Sequence, residues 1–148
     1  MTPQAAATLL CLSLSLLACG GPREPSTGTP APTTTGATVV SIGTLAGRDG
    51  HSGMGSVTLS RAGDEHELCF EANFDVTDGP DLIVFLTPRS AIGSAGALAT
   101  DVNFGTLLAD KGRQCYRSAK ALPAGALHAW VYCRRYTEEF ASAPLTPQ

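Results

Sequence analysis

An uncharged apolar run ends at Leu16-Leu17-Ala18-Cys19-Gly20, and the chain directly after it has almost nothing to bury. This pairing decides which residues are available for a fold. Residues 5–18 are apolar or small, and no charged side chain precedes Cys19. A membrane-spanning helix needs about 20 apolar residues, so the run is too short to cross a bilayer and fits the hydrophobic segment of an export signal. Its n-region carries no Lys or Arg, only the amino terminus. From Gly20 to Gly36 the chain is mostly Pro, Thr and Gly, the composition of a solvated, partly polyproline-like tether. Residues 1–18 therefore read as a signal peptide, 19–38 as a cysteine-headed disordered tether, and 39–148 as the folded domain.

Small residues before Cys19 suit a signal peptidase, and a cysteine directly after the cut can receive a diacylglyceryl thioether. The segment resembles the cleavage box of bacterial lipoproteins, which implies a lipidated Cys19 with an acylated amine. Each buried methylene contributes about 0.8 kcal/mol, and one chain alone holds only marginally, so three would make attachment effectively permanent. The expected address is the bacterial cell envelope, lipid-anchored on the extracytoplasmic side. Residue 20 is Gly rather than Asp, which by analogy with Gram-negative lipoproteins permits export to the outer membrane.

The part after the tether is large enough for one core and small enough to profit from cross-links. The chain has a formal net charge of −3, and Arg134-Arg135 is an isolated basic pair rather than a stripe, which points away from nucleic acid. Sixteen glycines, ten prolines and few amphipathic helical periods point away from a helix bundle. Short runs with strand character recur instead: 39–45, 56–60, 66–71, 82–86, 103–108, 114–117 and 128–133. The turn between the second and third fits a hairpin. Leu82-Ile83-Val84-Phe85-Leu86 is continuously apolar, the pattern of a strand covered on both faces. The expected fold is all-β, an antiparallel β-sandwich or small barrel of about seven strands. The Gly/Ala/Ser-rich interval 87–100 reads as a mobile loop.

Several motifs resemble the DM-thirteen domain, also called the electron-transfer DM domain. Gly79-Pro80-Asp81-Leu82-Ile83-Val84-Phe85-Leu86 is similar to its "GPDL" strand entry. Phe104-Gly105-Thr106-Leu107 followed by Gly112-Arg113-Gln114-Cys115-Tyr116 is similar to its "G-x-Q-x-Y" element, and Val131-Tyr132-Cys133-Arg134-Arg135-Tyr136 with Phe140 to Leu145 to its closing segment. His51 with Gly53 and Gly55 resembles its "H-x-x-x-G" entry. The resemblance spans roughly residues 42–145 and makes His51, Asp81 and Tyr116 motif positions. It implies an extracytoplasmic β-domain with a redox or electron-transfer role through Cys133, working with a redox or envelope protein partner. Tyr132 stands where that family usually has Trp, and Cys69 and Cys115 stand where it has other residues.

Of five cysteines, Cys11 leaves with the signal and Cys19 takes the lipid, so Cys69, Cys115 and Cys133 remain. An odd number in an oxidising space leaves at least one thiol unpaired, metal-bound or intermolecular. Three pairings are open. Cys69 with Cys115 is favoured because both are additions to the family pattern, and it would contribute about 3–4 kcal/mol in the chain-entropy model. Cys133 is then either a buried inert thiol sharing a face with Ala129 and Val131, or a redox thiol or a haem or metal ligand. The three histidines and Met54 lack the spacing of a soft-metal site. His66 reads as exposed, Asp78 and Asp81 as turn caps, and Glu138-Glu139 as an exposed pair. No G-x-S-x-G elbow, phosphate loop or paired-carboxylate arrangement appears, so the chain shows no enzyme signature.

Overall fold

The computed structural model describes residues 36–148. The signal segment, Cys11, Cys19 and the tether up to residue 35 lie outside the described residues. Among the described residues, nine strands run in chain order: β1 Thr38–Gly47, β2 Gly53–Ala62, β3 Glu65–Phe70, β4 Asp75–Val76, β5 Leu82–Thr87, β6 Val102–Thr106, β7 Gln114–Ser118, β8 His128–Cys133 and β9 Glu138–Pro147. They form one antiparallel sheet in the order β6-β5-β8-β9-β1-β2-β3-β7, with β4 paired to β2, and the sheet curls until it nearly closes as a barrel.

The sequence expectation of about seven strands misses two of these. β4 is a two-residue pairing that no periodicity can announce. β9 is ten residues long, but its Ala, Ser, Pro and Glu content hides its strand character; it pairs with both β8 and β1. The short β1–β2 connection requires close backbone approach at Gly47. A Cβ there would meet the His51 carbonyl oxygen at 2.0 Å, so only glycine fits.

Two apolar layers follow from the period-2 alternation of the strands. Inside the barrel, Leu45, Val57, Leu59, Leu68, Phe70, Leu82, Val84, Leu86, Ala129, Val131 and Leu145 belong to the main core. Outside it, on the β5–β8 face, Ile83, Phe85, Ile92, Trp130 and Tyr132 form a second cluster. All six residues of β5 are buried, as its continuous apolar run predicts. Each large side chain so buried contributes about 1.5–3 kcal/mol, which makes the outer cluster a substantial part of the fold.

What covers that outer cluster is the interval read from sequence as a mobile loop, and here the structure differs. The Arg89 guanidinium donates to the Asp101 carboxylate and to the Gly96 carbonyl, and Asp101 also accepts from the Leu98 N–H. The indole N–H of Trp130 donates to the Arg89 carbonyl at 3.1 Å, and the Arg48 guanidinium lies 5.1 Å from the Trp130 ring centroid. Glu139, expected to be exposed, is instead buried beneath the loop and accepts the N–H groups of Ile92 and Gly93. Gly96 lies against the Tyr132 ring and Ala97 packs on the same cluster, with the charged network holding the loop beside them. At these two positions the small residues serve close packing.

Replacing Glu139 by Ala leaves the Ile92 and Gly93 N–H groups without their acceptor and is expected to cost about 2–3 kcal/mol in urea unfolding. Glu139→Gln keeps an accepting oxygen and is expected to cost clearly less. Equal losses for the two substitutions would show that the carboxylate does not hold this loop.

Candidate functional site

Cys133 ends β8 and is 0% exposed, on the inner face with Ala129 and Val131 as the alternation predicts. Its cross-strand neighbours are Leu82 on β5 and Glu138 on β9. The next residue turns outward. Arg134 donates from Nε and Nη2 to the two carboxylate oxygens of Asp81 at 3.1 and 2.7 Å, and its N–H donates to the Asp81 carbonyl. The hydrogen bond from Arg134 holds the Asp81 carboxyl below its usual range, and the same contact raises Arg134. Asp81 is therefore an ion-pair partner and not the turn cap expected from sequence. The guanidinium serves that carboxylate, on the opposite side of the strand from the thiol.

His51 is half-buried and stacks on Phe140, with centroids 3.7 Å apart and planes inclined by 15°. Its Nε2 lies 3.3 Å from a Glu138 carboxylate oxygen. A bulge makes this possible. Val131 pairs with Ala141 while Tyr132 pairs with Glu139, so Phe140 is the extra residue of β9. His51, Glu138, Asp81, Arg134 and Cys133 thus gather around the β8–β9 turn and the strand ends beside it. Tyr116 does not join them. Its phenol donates to Gln114 Oε1 and accepts from the Leu108 N–H, while Gln114 also accepts from Leu108 and Ala109. Together they fix the segment that follows β6.

Cys69 and Cys115 face each other in register on β3 and β7 and form a disulfide that spans a sequence separation of 46. With Glu67 they make a group of three metal-type donors within 4.8 Å of one another. The two sulfurs are bonded to each other and Glu67 is paired with Arg117 at 3.1 Å, so this group is an ion-paired disulfide in place of an open coordination site. Nor do the residues around Cys133 fit a haem or a metal, because its thiol is enclosed by apolar side chains and belongs to no such donor group among the described residues. Met54 is exposed. His66, expected to be exposed, is half-buried with Nδ1 lacking a hydrogen-bond partner; burial, then Arg61, lowers its pKa. Burial and Arg48 lower that of His128.

Sequence reasoning passed over a cleft of about 230 Å³ on the outer face of β8. Tyr132 lines it together with Arg134, Asn103, Thr137 and the small residues Ser94 to Ala97 at the end of the 3-10 turn and just after it. Gly96 is required here, with a positive φ of 59° and space for a Cβ only 3.0 Å from the Tyr132 ring. The available signal was the alternation within β8: if Cys133 points inward, Trp130 and Tyr132 point outward and need a cover.

Neither protein-family models, curated proteins nor solved structures give a match to this chain.

The geometry around Tyr116 generates a pH dependence. Burial pushes its pKa up to about 12, partly offset by the Leu108 N–H. A group that holds its proton more tightly when folded stabilises the fold below its unfolded pKa near 10 and loses that contribution as pH rises through 12. Stability is therefore expected to fall by about 2–3 kcal/mol between pH 10 and 12. Tyr116→Phe should flatten that interval in unfolding curves, and an unchanged slope would count against it.

Proposed function

We propose that this protein is a lipid-anchored, extracytoplasmic and non-catalytic module of the DM-thirteen type, which binds or organises a cell-envelope partner and keeps Cys133 as an inert core thiol. The observation that carries the reading is the complete burial of Cys133 in the apolar interior. A redox thiol needs exposure and a depressed pKa, and the neighbouring Arg134 directs its charge to Asp81. Burial therefore favours this reading over electron transfer through Cys133. The anchor rests on the uncharged apolar run and the small residues before Cys19. The oxidising compartment rests on the same segment and agrees with the Cys69–Cys115 bridge.

The test is a thiol count on the purified mature, lipidated protein, with a visible spectrum recorded first. A thiol reagent is expected to find no reactive Cys133 in the native protein and one thiol per chain after denaturation. Stoichiometric labelling of the native protein, or a haem or metal absorption band lost in Cys133→Ser, would overturn the reading. Cys133→Ser places a hydroxyl among apolar side chains and is expected to destabilise the fold by about 1–3 kcal/mol. In mass spectrometry of the mature protein, the chain is expected to begin at Cys19 and to carry the added mass of a diacylglyceryl group and an acylated amine. An unmodified Cys19 would sink the anchor.

A further inference from the structure

The strand registers divide the barrel into two rims. Thr38 lies opposite Arg61, Arg61 opposite His66, and His66 opposite Ser118. On the other half of the sheet, Thr87 pairs with His128 and Ser41 with Pro147, at the same end. The chain enters β1 at this rim. Two connections are built on it as well, 88–101 from β5 to β6 and 119–127 from β7 to β8. They adjoin one another. Lys120 Nζ donates to the carbonyls of Ala99 and Asp101, and a Cβ on Gly125 would lie 3.8 Å from that of Pro88.

The surface of these adjoining loops is apolar and poor in charge. Pro88, Leu98, Ala99, Ala121, Ala124 and Ala126 are exposed, Leu98 to 46%. Leu122 and Leu127 pack half-buried against the main core and hold the second loop in place. Between Asp81 and Asp110 the sole carboxylate is that of Asp101, which is buried and paired with Arg89, and between Asp110 and Glu138 there is none. Lys120 supplies the exposed charge. The exposed side-chain carboxylates described on this rim, Asp64 and Glu65, are confined to the β2–β3 turn. The opposite rim exposes Asp49, Asp78 and Glu138 at its turns.

We propose that this rim is the membrane-facing surface of the domain, with Leu98 and the loop 119–127 resting in the headgroup region of the bilayer that holds Cys19 and Lys120 meeting an anionic headgroup. The proposal rests on the reading of Cys19 as a lipid anchor and adds to it an orientation and a contact surface. The choice of occupant comes from the length of chain before the fold and the point where it joins. Residues 20–35 separate Cys19 from the described fold, and a flexible linker of that length spans about 20–25 Å. β1 alone, at ten residues, is about 33 Å long. The rim that receives the tether is therefore held beside the bilayer, and the opposite rim reaches it only with the tether drawn out along the barrel. The chemistry agrees. An apolar surface free of exposed carboxylates suits the interface, and a lysine there is drawn to anionic lipid.

The test places the mature, lipidated, isotope-labelled protein in nanodiscs of phosphatidylethanolamine and phosphatidylglycerol, with and without a lipid that carries a gadolinium chelate on its headgroup. Paramagnetic relaxation of the amides, followed by NMR, is expected to be roughly fivefold or more stronger at Leu98, Ala99, Ala121 and Ala124 than at Gly50, Asp78 and Arg135 on the opposite rim. Leu98→Glu combined with Ala124→Glu puts two carboxylates on exposed positions. It is expected to bring the two rims within about twofold of each other while the urea midpoint stays unchanged. Replacing phosphatidylglycerol by phosphatidylcholine should reduce the difference, and an unchanged difference would strike out the Lys120 contact. Equal relaxation at the two rims, or no change in the double variant, would overturn the membrane contact and leave the apolar surface to a protein partner. Mass spectrometry of the same sample separates the two readings. An unmodified Cys19 removes the anchor and the contact with it, whereas a lipidated Cys19 with no difference between the rims strikes the contact alone.

Discussion

Strand β8 is buried on both faces, and most of the molecule is arranged to satisfy that condition. It lies between β5 and β9, with Ala129, Val131 and Cys133 turned into the barrel and Trp130 and Tyr132 turned out. The inner face is covered by the closing sheet itself. The outer face has no second sheet to meet, so the connection from β5 to β6 must fold back over it. That requirement explains Gly96, where a Cβ would press on the Tyr132 ring. It also explains the placement of charge. Arg48 lies over Trp130 and reaches the Ser142 hydroxyl and the Ser90 carbonyl, while Glu139 receives the N–H groups of the loop from below.

The same condition separates the two chemistries of the strand. A one-residue step in a β-strand changes the face. Cys133 and Tyr132 are therefore neighbours in sequence and occupy different environments, one apolar and closed, the other at a cleft. Arg134 follows at the turn, where its guanidinium can reach Asp81 and the cleft rim but not the interior. A reading that treats Cys133-Arg134 as a thiol beside its activating cation overlooks this geometry. The bulge at Phe140 completes the division, because it brings Glu139 beneath the loop and stacks Phe140 on His51 on the other side of the hairpin.

How far these features were legible depends on whether they are local. The all-β class, the doubly covered run Leu82–Leu86 and the inward face of Ala129, Val131 and Cys133 can all be argued from alternation and from residue type, whereas the Cys69–Cys115 pairing was one of three open pairings and was favoured only through the resemblance. β9 resisted because its burial comes from two neighbouring strands rather than from its own composition, with Ala141, Ala143 and Ser142 buried against β8 and β1. The loop over Trp130 resisted for a related reason. Glycine and alanine signal freedom when read locally, and only the outer cluster beneath Gly96 and Ala97 turns that into packing. Glu139 and Asp81 were misread because the fate of a carboxylate depends on partners 46 and 53 positions away. The cleft is harder still, being the space left between a strand, a turn and a loop.

The disulfide fits this architecture as an edge device. β6 and β7 stand at the two ends of the sheet and leave a seam, where Phe104 and Tyr116 approach at 6.2 Å and Lys120 reaches the carbonyls of Ala99 and Asp101. An end strand held on one side is the element most prone to fray or to recruit another chain. β7 carries its covalent link at its second residue, Cys115, opposite Cys69. On the same outer face, ion pairs flank the bridge, Glu67 with Arg117 and Glu71 with Arg113. Near the other end, β5 and its pairing with β6 are secured by the pinned loop. Each end of the sheet thus has its own fastening, and Cys69 and Cys115 act at the edge that lacks a covering loop. Cys133 needs no such role, because β8 is already held on both sides.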